Sequence, residues 1–343
     1  MKHLLPESGR FYKANLHMHT TISDGKMTPE ETKAAYKSRG YSIVAFTDHE
    51  VIVPHPELCD ENFLAITSTE YCVAGHVVNS VPICYHLNFL AKRPDLTVSS
   101  SHSHIWLSPK QKELYVTEEM SAYDDPRTYS VEHVNDMIAR AREEGFLVTL
   151  NHPYWSTQTY ADYAGLKGLF GIECYNNGCF LAGYEDSMQP IDDLLHFDEC
   201  PFPLATDDAH GKPNDSTDSD CFGGFVMIKA DKLDYTAVMT ALERGDFYAS
   251  SGPEIHSLTV EDGKLKLTCT PAAKIIVTSD CRWATRKTAD APITEAEIDL
   301  SGWLNLPRVP EHRVCTSYIR VTVVDEKGDR AWTRAYQLDE ITK

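Results

Sequence analysis

The sequence predicts an α/β fold of parallel strands with crossover helices, followed by a small all-β unit of the sandwich type. Three observations predict it. Residues 11 to about 250 alternate short β-branched runs with helical segments. The helical segments carry start and stop signals at both ends. After Ser251-Gly252-Pro253 the hydrophobic period falls to two, with turn dipeptides between segments. The expected division is therefore 1–253 and 254–343.

The first crossover unit is the best marked. Thr28-Pro29-Glu30-Glu31 sets an N-cap, a proline at the first helical position and a capping-box glutamate in order. The helix runs through Ala34, Ala35 and Tyr36 and stops at Gly40, before the apolar strand Tyr41 to Thr47. Further strands are predicted at 63–67, 146–150, 170–174, 202–206 and 224–228. Ser130 caps a helix with Val131, Val134, Ile138 and Ala141 on one face, closed by Gly145; another runs from about Tyr235 to Arg244. Residues 91–128 lack periodicity and read as an insertion or lid-like loop. Beyond 253, hairpins are predicted for 255–260 with 265–270 and for 318–324 with 331–338. Asp262-Gly263, Ala272-Ala273 and Lys327-Gly328 stand as turns.

Composition excludes several classes. The 343 residues suit two domains, and 32 basic against 51 acidic residues give a net charge of −19. Such a chain is repelled by phosphate polymers, so duplex nucleic acid is not an expected partner. No stretch approaches the ~20 apolar residues of a membrane span, and the N-terminal apolar run is too short for a signal peptide. Ten cysteines without a C-x-x-C pair read as reduced thiols of a cytoplasmic protein, with Cys174 and Cys179 buried rather than metal-binding.

The chemistry lies in nine residues at predicted strand ends: His17, His19, Asp24, His49, Glu70, His76, His152, Asp208 and His210. Strand side chains alternate faces, so His17 and His19 share one, as do Asp208 and His210. Asp207 then points away, as a structural carboxylate, and Asp48 is expected to orient His49 through a hydrogen bond. One divalent ion takes about four to six ligands, so the set suits two or three ions, with Glu70 as the bridge. Imidazole and carboxylate without thiolate fit manganese, iron or zinc. His55 and His86 fall near the site as supporting residues; His3, His133, His196, His256 and His312 are assigned to structure or solvent.

At these positions the chain resembles the PHP (polymerase and histidinol phosphatase) family. His17-Met18-His19 with Ser23-Asp24-Gly25 matches its first motif, and Thr47-Asp48-His49 its second. Asn151-His152-Pro153 and Asp208-Ala209-His210 match the third and fourth, while Glu70 and His76 match the intervening glutamate and histidine. The resemblance implies a distorted (β/α)7 barrel with a trinuclear site. One ion would take His17, His19, Glu70 and Asp208, a second Glu70, His76 and His152, and a third Asp24, His49 and His210.

The expected function is metal-dependent hydrolysis of a phosphate ester, foremost a monoester of a small metabolite or nucleotide, by a metal-bridging hydroxide. His86 and Asp207 stand as candidates for the general acid, and Arg127 and Lys212 for gripping phosphate. The first alternative is a phosphodiesterase on short oligonucleotides or on cyclic or bisphosphorylated nucleotides, with Tyr154, Trp155 or Tyr175 stacking a base. The second is a non-catalytic metal-containing binding protein whose β unit takes carbohydrate or protein through Trp283, Trp303 and Trp332.

Overall fold

Local signals set the first crossover as expected. In the computed structural model, which describes residues 1–78, 81–213, 219–308 and 317–342, Thr28 caps helix Pro29–Ser38 with a complete capping box. The helix buries Tyr36 against the sheet, and the Tyr36 hydroxyl donates to Asp207 at 2.7 Å. Helices Val131–Glu144 and Tyr235–Arg244 are capped by Ser130 and Asp234. Both end on glycines in the left-handed region, Gly145 at φ 105° and Gly245 at φ 72°.

The protein has a mixed α/β fold around one large sheet. Its strands are β1 (Lys2–His3), β2 (Arg10–Asn15), β3 (Tyr41–Phe46), β4 (Leu64–Val78), β5 (Val81–Ala91), β6 (Phe146–Leu150), β7 (Gly171–Asn176) and β8 (Phe202–Thr206). They continue as β9 (Phe225–Ala230), β10 (Phe247–Ser250), β11 (Ile255–Glu261), β12 (Lys264–Ser279), β13 (Ala284–Asp299), β14 (Tyr318–Val324), β15 (Arg330–Thr333) and β16 (Tyr336–Gln337). Across the site the order is β9-β2-β3-β4-β5-β6-β7-β8, and from β9 the sheet continues through β10 and β15 into the strands beyond residue 254.

Several sequence expectations need correction. β2-β3-β4 and β6-β7-β8 are parallel, but β4 and β5 form a long antiparallel hairpin, and β5 is also antiparallel to β6. The strand predicted to end at Thr67 runs on to Val78, because its apolar content does not lapse at Glu70. Ala272-Ala273 is no turn: β12 passes through it with shifts in register, and Ala272 is fully buried where the strand bends. Asp262-Gly263 does turn, with both residues at positive φ, and the two predicted hairpins pair as β11 with β12 and β14 with β15. No helix of the described residues is long and apolar enough to cross a membrane. Trp303 and Trp332 are buried and Trp283 packs on the core, so they do not form the exposed aromatic face expected for a glycan.

The sheet curls so that β8 returns beside β9. Asp207, just past β8, accepts from the amides of Phe222 (2.8 Å) and Gly224 (2.7 Å). A β-carbon on Gly224 would lie 2.1 Å from the Thr206 carbonyl oxygen, against backbone that cannot yield. Gly224→Ala is therefore expected to lower stability by about 3 kcal/mol, read from denaturant unfolding.

Candidate metal centre

Backbone pairing beyond the strand ends carries the motif residues to one place. The Asp208 amide donates to the His17 carbonyl (3.0 Å) and the His19 amide to that of Ala209 (3.1 Å). The Thr47 amide donates to the Met18 carbonyl (2.9 Å), and that of Glu70 to Thr47 (3.1 Å). Thus the loops after β2, β3 and β8 are laced together with β4. His152 and Asp208 hold positive φ (27° and 51°), a costly conformation for residues with a β-carbon. The Glu173 carboxylate secures the first by accepting from the His152 amide at 2.9 Å.

Glu70, fully buried in β4, is the centre of the cluster. Oε1 lies 3.2 Å from His17 Nε2, 3.2 Å from His86 Nδ1 and 3.4 Å from His152 Nε2. Oε2 lies 3.3 Å from His19 Nε2 and 3.2 Å from His49 Nδ1. Asp208 Oδ1 is 3.1 Å from Nε2 of both His17 and His19. Asp24 faces His49 (3.7 Å), His19 (3.8 Å) and His210 (3.5 Å) from the solvent side. The side chains fall into overlapping sets able to hold an ion: His17, His19, Glu70 and Asp208; His19, Asp24, His49 and His210; Glu70, His86 and His152; and His17, His152 and Glu173.

His76 does not join them. Six residues past Glu70 on an extended strand, it lies about 20 Å along the hairpin, exposed beside Tyr129. His86 takes its expected place: across the hairpin it pairs with Cys72, two residues from Glu70. The β4–β5 register is the signal that would have found it.

Glu173 is the acidic residue that the motifs missed. Its Oε1 accepts from His17 Nδ1 at 2.7 Å and from the Thr206 hydroxyl at 2.6 Å, and Asn176 donates to Oε2 at 2.9 Å. It therefore fixes the His17 tautomer and leaves Nε2 to face the cluster. A lone carboxylate inside the apolar run Phe170 to Cys174 was the visible signal.

Four supporting expectations change. Asp48 does not orient His49; it accepts from the amides and hydroxyls of Thr20 and Ser23, and so shapes the loop carrying Asp24. Asp207 faces away from the cluster, engaged by Tyr36, Phe222 and Gly224, which removes it as a general acid and leaves it structural. Arg127 cannot grip phosphate: it is buried, paired with Glu50 at 2.9 Å and donating to the carbonyls of Cys72 and Ser101. His55 packs on Phe46 and pairs with Glu57 (3.0 Å), away from Glu70. Lys212 does lie at the site, lining a cavity of about 570 Å³ with Lys26, Trp155, Asp208 and His210. Of the three aromatic candidates, Trp155 stands over His152 and His86, whereas Tyr154 packs on Tyr184 and Tyr175 on Phe180.

Electrostatics tests the fit of cations to this donor set. Burial opposes charge on Glu70 and Asp208, yet the attraction of His17 holds both well below the usual carboxylate range. His49 goes the other way, pushed down to about 3 by burial and by the charge of His19. Positive charge is thus needed at the centre, but not every imidazole can carry it. His19 Nδ1 and Asp208 Oδ1 are buried with no hydrogen-bond partner among the described residues. Converging imidazole nitrogens, shared carboxylate oxygens and orphaned acceptors fit divalent ions.

No family model and no curated protein sequence matches the chain. Among solved structures the likenesses are at low identity and low TM-score. The likeness is to a two-domain Bacteroides vulgatus protein containing a predicted PHP-like metal-dependent phosphoesterase, at 13% identity over 98% of each chain and a TM-score of 0.42. It is also similar to PsfC from Pseudomonas syringae (12% identity, 68% of this chain and 87% of that one, TM-score 0.42). A third likeness is to an amidohydrolase from Chromobacterium violaceum with bound sulfate and no metal (13%, 68% and 96%, TM-score 0.39).

Two outcomes are expected. Glu173→Gln should weaken divalent-ion affinity by about 10–100-fold in a chelator-competition titration, since His17 loses the carboxylate that sets its basicity. Arg127→Met should cost about 3–5 kcal/mol in denaturant unfolding, because Glu50 is left buried without its counter-charge.

Proposed function

We propose that this chain is a PHP-type metal-dependent phosphoesterase, in which the curled sheet is a distorted (β/α)7 barrel holding a trinuclear site. The substrate class is a phosphate monoester of a small molecule. One observation carries this reading: overlapping sets of ligand atoms, two of them sharing Glu70, meet in a pocket that opens to solvent through Asp24, His49 and His210. The four motifs of the sequence, in family order, supply every member of those sets except Glu70, His86 and Glu173.

His17, His19, Glu70 and Asp208 would hold one ion, Glu70, His86 and His152 a second, and Asp24, His49 and His210 a third. Bound divalent ions lower the pKa of water and offset charge on a phosphoryl group. The protein residues prepare the place. Glu173 sets His17, Ser156 lies 3.1 Å from His152 Nδ1, and Asn151 donates to Glu70 at 2.7 Å. Each contact fixes the direction of a ligand lone pair, so that little reorganisation is left for the reaction. Lys26 and Lys212, on the wall of the larger cavity, add positive charge where an acidic protein would repel an anion.

Protein saturated with manganese, iron or zinc should contain two to three ions per chain by elemental analysis. It should release phosphate from members of a phosphomonoester panel. Asp208→Asn should lower kcat/KM by at least about 100-fold. Absence of turnover across sugars, nucleotides and amino-acid phosphates, with the ions bound, would overturn the proposal, and preference for a dinucleotide over a mononucleotide would move it to diesters.

A further inference from the structure

A second cavity, of about 340 Å³, opens onto the opposite side of the ligand cluster. Asp24, His49 and His86 form its floor, and Trp106, Ser108 and Gln111 stand on its wall. Trp106 comes from the segment read as a lid-like loop, and it is half exposed, at 51%. Its backbone is pinned on both sides. Before it, Asp124 accepts from the Ser103 hydroxyl (3.3 Å) and the His104 amide (3.0 Å). After it, Leu107 is buried with Ile22, Val51 and Met120, and Ser108 caps helix Pro109–Leu114. The backbone that carries the indole is therefore held at the rim of the cavity by its neighbours.

The polar groups of this wall are already committed to one another. Gln111 Oε1 accepts from the Ser108 amide (3.0 Å), its Nε2 donates to the His49 carbonyl (2.7 Å), and its amide donates to the Ser108 hydroxyl (3.2 Å). Glu50 accepts from Arg127 and from the Cys72 amide, and the Ser23 hydroxyl donates to Asp48. What remains above the ligand cluster is the indole of Trp106. A polyhydroxylated group placed there would find few partners besides the indole N–H and the Asp24 carboxylate, whereas a planar apolar ring gains a stacking surface. The larger cavity differs, with Lys26 and Lys212 on its wall.

Building on the phosphoesterase reading, we infer that this chamber takes the organic part of the substrate and that Trp106 selects aromatic over polyhydroxylated phosphate esters by stacking. Trp155 lies edge-on to His152 (84° between rings) and lines the larger cavity, not this chamber.

The test compares benzyl phosphate with glycerol phosphate on manganese-saturated protein, and benzylphosphonate with methylphosphonate in calorimetric binding. Trp106→Ala should reduce both the benzyl-to-glycerol ratio of kcat/KM and the benzyl-to-methyl ratio of affinities by about tenfold, with Trp106→Phe retaining most of each. Ratios unchanged in Trp106→Ala, or collapsed in Trp155→Ala instead, would overturn the assignment. If no ester is turned over but the phosphonate ratio still falls in Trp106→Ala, the chamber stands and the hydrolysis reading fails. Turnover with an unchanged phosphonate ratio gives the reverse.

Discussion

A carboxylate buried at the meeting point of five imidazoles is the constraint around which the rest of this structure is arranged. Glu70 has 1% of its surface exposed, and taking an isolated carboxylate out of water costs several kcal/mol unless counter-charge and hydrogen bonds replace the solvent. His17, His19, His49, His86 and His152 each approach it within 3.4 Å, and Asn151 donates to it directly. Those partners come from loops or strands after β2, β3 and β6 and from β5, so satisfying one anion requires most of the curled sheet to be in register. The fold and the site are in this sense one problem. A slip of any strand by one residue would turn its ligand to the opposite face and leave Glu70 exposed to an unpaired charge.

The supporting carboxylates show how the remaining lone pairs are disciplined. Glu173, Asp48 and Asp207 each accept several hydrogen bonds from fixed donors, and none is among the ligands around Glu70 that the motifs supply. Glu173 acts on His17 and the His152 backbone, Asp48 on the loop of Asp24, and Asp207 on the closure between β8 and β9. Their oxygens are occupied by these donors, which turns them toward holding the loops that carry Glu70, Asp208 and Asp24. The division between acids that bind and acids that hold is made by hydrogen-bond donors, and adjacent residues such as Asp207 and Asp208 fall on opposite sides of it.

Legibility from sequence followed the range of the interaction. Helix Pro29–Ser38, with its capping box, and the glycine stop at Gly145 depend on contacts within a few residues, and they were readable. So were His17, His19, Asp208 and His210, because alternation along extended chain fixes which side chains share a face. At Asp208 the backbone is in fact left-handed, and the residue still turns inward because the Asp208 amide is tied to the His17 carbonyl. His86 was harder to read. Its place depends on the β4–β5 register, which no local signal reports, and His76 looked equivalent only because spacing along the chain says nothing about a strand running away from the site. Arg127 failed for a related reason: nothing nearby announces that Glu50, 77 residues earlier, already holds it.

That Arg127–Glu50 pair also ties the end of residues 91–128 to the sheet. Both side chains are 1% exposed, and the guanidinium ties the carbonyls of Ser101 and Cys72 to one point. A segment that had to open would break a buried ion pair, whose partners cannot both be rehydrated while β4 stays in the sheet. The same segment adds the small apolar cluster of Leu107 and Met120 with Ile22 and Val51, so it is anchored by charge at one end and by burial at the other. Its long, aperiodic sequence serves as a rim that includes the short helix Pro109–Leu114. A rigid rim can discriminate by shape, since its walls do not yield to accommodate a poorly matched group, and it leaves entry to the opening beside Asp24, whose side chain is 57% exposed.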